Sequence, residues 1–125
     1  MLASKDAVAN IAVKDLPIGR KFYEQTLGLK VIATEGQEVV TFKSGNTSLY
    51  VYRSQYAGTN QATAVTWSVG NEIEEIVSAL KAKGVRFEHY DLPGTTHKGD
   101  LHVMGDRKVA WFKDPNGNIL CLVNA

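Results

Sequence analysis

Apolar and polar residues alternate along several short segments of the chain, and glycine, proline or asparagine separates these segments. Alternation of this kind is typical of strands with one buried face. It predicts strands at 8–13, 29–34, 38–43, 48–53, 63–69, 85–89, 108–113 and 118–123. Two segments have helical spacing instead. We predict one helix over 16–27, capped by Asp15, and a second helix that Asn71 caps and Gly84 ends.

The order of elements in the first half of the chain is repeated in the second half. Val13 corresponds to Val69 at an offset of 56 residues, whereas Phe42 corresponds to Phe112 at an offset of 70. The second half therefore carries about 14 additional residues. We predict an α+β protein made of two βαβββ modules in tandem, at about 6–54 and 62–125, within a single domain of residues 1–125. The additional residues form a long loop at about 89–106.

Charge and composition exclude several classes of protein. The 14 lysine and arginine residues nearly balance the 13 aspartate and glutamate residues, and no basic cluster is present. A nucleic-acid partner is therefore not expected, because phosphate binding needs clustered positive charge. A signal peptide and a membrane-spanning segment are not expected either, since no long apolar stretch occurs. The single cysteine favours a reducing compartment. We expect a cytoplasmic protein without a membrane partner.

Side chains on one face of the predicted strands are almost wholly apolar, and those on the other face are small, hydroxylic or aromatic. The apolar face is expected to lie under the two helices. The second face is neither as aliphatic as a core nor as charged as a solvated surface, which is typical of a small-molecule pocket. A dimer interface is the alternative, because it favours the same residue types. The candidate ligand-binding residues on this face are Asn10, Ser48, Tyr50, Tyr52, Thr66, Ser68 and Cys121.

Two segments of the chain carry a resemblance to a known family. The segment VKDLPIGRKFYEQTLGLKV, followed far downstream by AWFKDPNGNILCLV, resembles the vicinal oxygen chelate superfamily, which includes glyoxalase I, extradiol dioxygenases and bleomycin resistance proteins. The resemblance covers nearly the whole chain. It implies that the modules form one curved eight-stranded sheet around a cleft, with the helices on the outer face. It also implies a homodimer.

In the metal-dependent relatives, four positions on the strands supply histidine or glutamate ligands to one divalent ion. The resemblance places these positions at Val8, Tyr50, Ala64 and Cys121. Such an ion needs three or four imidazole or carboxylate donors, and none of the four residues supplies one. We therefore predict no metal site and no cofactor. Cys121 is interpreted as a small residue in the pocket wall, with a catalytic thiol as the less favoured alternative.

The additional residues of the second half contain all three histidines, His89, His97 and His102. A polar surface loop is the favoured interpretation over a relocated metal site, because the spacing matches no standard zinc pattern. A glycine-rich loop near a cleft can also close over a ligand. Tyr90, His97 and His102 are therefore further ligand-binding candidates. Trp111 is another, although it fills the core equally well.

Two functions are consistent with these residues. The first is a non-catalytic, metal-independent protein that sequesters an aromatic or antibiotic-like small molecule. The alternative is a lyase, isomerase or dioxygenase of the same superfamily that uses the loop histidines, either at an atypical metal site or in metal-free acid–base catalysis by His97 or His102. A structural or regulatory dimer is a third possibility. Arg53, at the end of a strand, is interpreted as a solvated residue, with an anchor for an anionic group as the alternative.

Overall fold

A computed structural model describes residues 1–125, which form two compact units, Met1–Thr59 and Asn60–Ala125. Unit 1 contains one helical segment and one four-stranded sheet. Its elements are β1 (Ala9–Val13), α1 (Leu16–Lys21), which continues as a π-helical turn (Phe22–Thr26), β2 (Lys30–Glu35), β3 (Val39–Ser44) and β4 (Thr47–Arg53). The sheet order is β1-β4-β3-β2, with β1 parallel to β4 and the other pairs antiparallel.

The core of unit 1 lies between the sheet and the helical segment. Alternate residues of β1 and β4 are buried, and Tyr23 and Phe42 are completely buried between the layers. Asp15 caps α1 as predicted, since its Oδ1 accepts from the backbone N–H of Ile18 at 3.0 Å. Gly19 allows the helix to approach β1 closely, because a Cβ there would lie 3.0 Å from a methyl carbon of Val13.

Unit 2 contains one helix and a six-stranded sheet. Its elements are β5 (Thr63–Ser68), a 3-10 turn (Gly70–Glu72), α2 (Ile73–Ala82), β6 (Phe87–Glu88), β7 (Thr96–Lys98), β8 (Leu101–Met104), β9 (Arg107–Lys113) and β10 (Ile119–Val123). The order is β5-β10-β9-β8-β7, and β6 pairs with β9 beside β8. Only β5 and β10 are parallel. The buried side of α2 carries Ile73, Val77 and Leu80.

The sheets differ from the prediction in number and size. There are ten strands in sheets of four and six, and a single eight-stranded sheet is not confirmed. The predicted loop at 89–106 contains β7 and β8, which form a hairpin with Thr96 opposite Val103 and Lys98 opposite Leu101. Pairing of this kind satisfies backbone groups that an irregular loop would leave to water. The strand predicted at 85–89 is reduced to Phe87–Glu88.

The start of α2 also differs from the prediction. Asn71 does not cap the helix, because the chain enters it through the 3-10 turn and the cap position falls at Glu72, without a side-chain hydrogen bond. Gly70, at a φ of 58°, sets the direction of this turn. Neither helix is long and apolar enough to cross a lipid bilayer.

Candidate functional site

The predicted ligand-binding residues of unit 1 lie on the face of the sheet opposite its core. Asn10 pairs with Tyr50 across β1 and β4, and Tyr52 lies two residues further along β4. Tyr50 is 38% exposed, whereas Ser48 and Tyr52 are half-buried. The Asn10 side chain donates to the carbonyl of Val8 at 3.1 Å. The four residues therefore form one polar and aromatic row on adjacent strands.

One further residue of this row was not predicted. Thr41 on β3 pairs with Tyr50 on the side away from Asn10, and it is half-buried. Its position in the alternation of β3, between the buried residues Val40 and Phe42, is the sequence signal for this face.

In unit 2 the structure brings five ring-bearing side chains into one cluster. We call this group the ring cluster: His89, Tyr90, His97, His102 and Trp111. The ring centroids of His97 and His102 are 4.7 Å apart, those of His102 and Trp111 are 4.8 Å apart, and those of Tyr90 and Trp111 are 5.4 Å apart. All three contacts are edge-to-face, the geometry that aromatic quadrupoles favour.

The backbone of Tyr90 fixes two of the imidazole rings. Its N–H donates to Nε2 of His102 at 2.9 Å, and Nε2 of His97 donates to its carbonyl, also at 2.9 Å. Nε2 of His102 must therefore carry a lone pair, and Nε2 of His97 must carry a proton. In the neutral rings the proton is consequently on Nδ1 of His102, and the free lone pair is on Nδ1 of His97.

His102 is the most enclosed member of the ring cluster, with 0% of its surface exposed. Its Nδ1 has no hydrogen-bond partner. Burial lowers the pKa of His102 below its ordinary value of 6.5, and the neighbouring His97 lowers it further. The neutral ring is therefore the form that this site favours.

His89 extends the ring cluster to a charged pair. Its Nε2 lies 2.8 Å from Oδ1 of Asp100, whose Oδ2 lies 2.7 Å from the ammonium of Lys81. The hydrogen bond from Lys81 lowers the pKa of Asp100 below its ordinary value, and the hydrogen bond from His89 lowers it further. Lys81 was not predicted to belong to the site, since no local pattern links the end of α2 to the β7–β8 turn.

Trp111 both borders the ring cluster and packs on apolar residues. It contacts a small buried group made of Val109, Cys121 and Val123, and its indole N–H donates to the hydroxyl of Thr63 at 3.2 Å. The residues before and after it, Ala110 and Phe112, are completely buried. Trp111 is thus a half-buried side chain that packs on core residues and also belongs to the ring cluster.

Cys121 lies in this apolar group and is 5% exposed. Burial raises the pKa of its thiol, and a hydrogen bond with Thr66 opposes the shift only in part. A buried thiol without a nearby base is a poor nucleophile. Thr66 and Ser68, the other predicted residues, are exposed on β5 and pair with Cys121 and Val123.

A surface pocket of about 340 Å³ adjoins the ring cluster, lined by Tyr90, Asp91, Leu92, Pro93, Thr95 and His97. Its volume lies at the lower end of the range typical of small-molecule sites, about 300–1,000 Å³. Burial, followed by the carboxylate of Glu88, raises the pKa of the Tyr90 phenol. The phenol therefore keeps its proton and can donate as well as accept.

The four positions to which the resemblance assigns the metal ligands of relatives carry side chains that do not fit a divalent ion. Val8 and Ala64 have no donor atom, Tyr50 offers a phenol, and Cys121 is a buried thiol with a raised pKa. No group of three or more histidine, cysteine, aspartate or glutamate side chains is arranged to hold a metal ion.

Solved structures of known proteins share the fold of the chain. Lactoylglutathione lyase from Agrobacterium tumefaciens is 18% identical, with a TM-score of 0.73 over 98% of this chain and 95% of that protein. The fosfomycin resistance protein FosX from Listeria monocytogenes is 16% identical, with a TM-score of 0.73 over 96% and 92%. An integron cassette protein from the Halifax Harbour sewage outfall metagenome is 18% identical, with a TM-score of 0.73 over 98% and 99%.

No curated protein sequence matches the chain. The family model described as the glyoxalase/bleomycin resistance protein/dioxygenase superfamily matches residues 6–122, which is nearly the whole chain and agrees with the resemblance in the sequence. The chain belongs to the glyoxalase/bleomycin resistance protein/dioxygenase superfamily.

Proposed function

We propose that the protein binds a planar aromatic small molecule at the ring cluster of unit 2, without a divalent ion, and sequesters it unchanged. The observation that carries this proposal is the edge-to-face contact of Tyr90, His102 and Trp111 beside an open pocket. A flat ligand gains most from such a site, because each aromatic pair contributes about 0.5–1.5 kcal/mol beyond the area it buries.

Polar groups near the ring cluster can orient such a ligand. His97 is exposed and carries a free Nδ1, and the Tyr90 phenol keeps its proton. The hydroxyls of Thr66 and Ser68 are exposed on β5 of the same sheet. A few fixed donors and acceptors among apolar groups are what small-molecule sites use for specificity.

The polar row of unit 1 is a separate candidate surface for a small molecule. Tyr50 and Tyr52 offer aromatic surface, and Asn10 and Ser48 offer hydrogen bonds.

We also propose that the protein is a homodimer, which light scattering after size exclusion tests directly. The expected mass is twice the chain mass of 13.7 kDa, and a stable monomer at micromolar concentration contradicts this part of the proposal.

Isothermal titration of the chelator-treated protein against planar aromatic and peptide-like antibiotics tests the proposed binding. At least one class is expected to bind saturably, and Trp111→Leu is expected to weaken binding about tenfold or more, the effect of losing about 1.4 kcal/mol. Trp67→Leu is the matched control, since Trp67 alternates with Thr66 and Ser68 and so projects from the opposite face of β5. Absence of binding across the whole panel contradicts the proposal.

One observation favours a metal-free enzyme as the second candidate. The Nδ1 lone pair of His97 belongs to an exposed ring that lines the 340 Å³ pocket, as a general base requires. His102 is unsuited to this role, because one nitrogen accepts from Tyr90 and the other is buried. If a member of the panel is converted to product, loss of turnover in His97→Gln, with binding retained, would establish this alternative. Elemental analysis that finds a stoichiometric divalent ion after dialysis would contradict both candidates.

A further inference from the structure

Unit 1 has a pocket of about 610 Å³ that lies away from its polar row. It opens where β1 passes into α1 and where the β2–β3 turn approaches the end of β4. Val40 in its wall is a buried core residue that pairs with Val51. Tyr50 and Tyr52 alternate with Val51 along β4, so the pocket is on the opposite face of the sheet from the polar row.

The wall of this pocket combines an apolar base with a cationic rim. Val40 and Leu16 are 3% and 6% exposed and supply the apolar part. Lys14, Arg20 and Arg53 supply three positive charges at the rim. A molecule that fills the pocket would thus meet aliphatic carbon on one side and positive charge on the other.

The two acidic residues of the rim are already engaged within the protein. Asp15 accepts from the backbone N–H of Ile18, and Glu38 lies 3.0 Å from Nη2 of Arg53. The backbone strengthens the second pair, because the N–H of Arg53 donates to the carbonyl of Glu38 at 2.9 Å. The carboxylates therefore neutralise the rim only in part.

Both arginines keep hydrogen-bond donors for a ligand. Arg20 contacts Glu24 through Nε at 3.5 Å, and Arg53 contacts Glu38 through Nη2. A guanidinium has five N–H donors in a planar fork that matches a carboxylate or a phosphate, and each contact with a glutamate uses only part of that fork. Both side chains are substantially exposed, 44% for Arg20 and 58% for Arg53.

We propose that this pocket is a second ligand site, which binds a small organic anion through Arg20 and Arg53. The anionic group is a carboxylate or a phosphate, and a compact apolar body packs on Leu16 and Val40. The site is separate from the ring cluster, so it stands whether or not the ring cluster binds an aromatic ligand.

Two-dimensional ¹⁵N–¹H NMR of the full chain tests this site with four probes: benzoate, phenyl phosphate, inorganic phosphate and benzyl alcohol. Benzoate or phenyl phosphate is expected to shift the amides of Leu16, Gln37 and Val40 saturably. The neutral alcohol should leave them in place, and inorganic phosphate should bind more weakly than phenyl phosphate. A response to benzoate alone or to phenyl phosphate alone identifies which anionic group the site takes.

Variants separate a ligand contact from a structural effect. Arg20→Gln and Arg53→Gln are each expected to weaken binding about tenfold, the loss of one charge-assisted contact. Glu38→Gln should tighten binding, because it releases Arg53 and removes a negative charge. Lys43→Gln, at the far end of β3, is the matched control and should bind as the parent does. The spectrum of each variant reports whether it is folded.

Three outcomes would overturn the proposal. The first is that neither organic anion causes a saturable shift around this pocket. The second is that benzyl alcohol acts as strongly as benzoate, or inorganic phosphate as strongly as phenyl phosphate. The third is that Lys43→Gln weakens binding as much as Arg20→Gln and Arg53→Gln do.

Discussion

The backbone N–H of Tyr90 donates to Nε2 of His102 at 2.9 Å. This hydrogen bond connects the segment that lines the 340 Å³ pocket to a completely buried ring. A protonated His102 has an N–H at this position, so two donors would face each other. The same residue holds His97 through its carbonyl. The geometry of the ring cluster therefore depends on a neutral His102.

The stability of the protein should fall as the pH falls below the ordinary pKa of histidine. The folded state lowers the pKa of His102 below 6.5, so the unfolded chain binds more protons in the window below that value. The contribution of His102 is thus complete above pH 6.5 and is lost as the pH drops through its folded pKa. Urea unfolding between about pH 7.5 and about pH 5 measures this slope.

The matched control for this slope is His102→Gln, which removes the titrating ring and keeps an acceptor. Its stability should depend less steeply on pH within the same window. The lowered pKa of Asp100 acts in a separate window, since its contribution is lost only as the pH falls below about 3.8. An equal slope in the parent and the variant would show that His102 does not carry the effect.

Replacing His102 by a residue without an acceptor should destabilise unit 2. In His102→Phe the half-buried N–H of Tyr90 loses its partner, and an unsatisfied donor of this kind costs up to about 3 kcal/mol. His102→Gln should lose less. The free energies of unfolding of the two variants and of the parent are compared at pH 7.5. If His102→Phe is as stable as His102→Gln, the hydrogen bond to Tyr90 does not contribute as proposed.

Cys121 should react slowly with thiol reagents in the folded protein. It is 5% exposed and burial raises the pKa of its thiol, so little thiolate is accessible at neutral pH. The rate of reaction with a disulfide reagent should rise by orders of magnitude in urea. Rapid reaction under native conditions would instead favour the catalytic thiol. If Cys121 serves only as a packing residue beside Val109 and Val123, Cys121→Ala should retain ligand binding.

Removing the cap of α1 should destabilise unit 1. Asp15→Ala deletes the acceptor for the N–H of Ile18, and a lost cap costs about 0.5–2 kcal/mol. Asp6→Ala, in the exposed N-terminal segment, is the control and should change the free energy of unfolding by less than about 0.5 kcal/mol. Equal effects of the two substitutions would contradict the role assigned to Asp15.

Features that depend on neighbouring residues could be predicted from the sequence. The cap of α1 by Asp15 is one of them, since it involves a side chain and a backbone N–H three residues apart. Strand alternation also assigned the polar row correctly to one face, since Ile11 and Val13 are buried and Asn10 is exposed.

Features that depend on residues far apart in the chain could not be predicted from the sequence. Thr96–Lys98 has three exposed residues and no alternation of burial, so nothing in it marks β7 as a strand. The two hydrogen bonds of the Tyr90 backbone and the ion pair between Lys81 and Asp100 join residues that only the fold brings together. The resemblance pointed to Val8, Tyr50, Ala64 and Cys121 as the positions of the relatives' metal ligands, but it gave no sign of the ring cluster.

The fluorescence of Trp111 shows whether an aromatic ligand binds at the ring cluster without a divalent ion. In a Trp67→Phe variant Trp111 is the single indole, since the chain has two tryptophans. Titration of this variant with a planar aromatic ligand from the panel, in the presence of a chelator, should change its emission saturably. The same affinity is expected without the chelator. Binding that disappears with the chelator and returns with a divalent ion would instead show that the ligand is held through a metal.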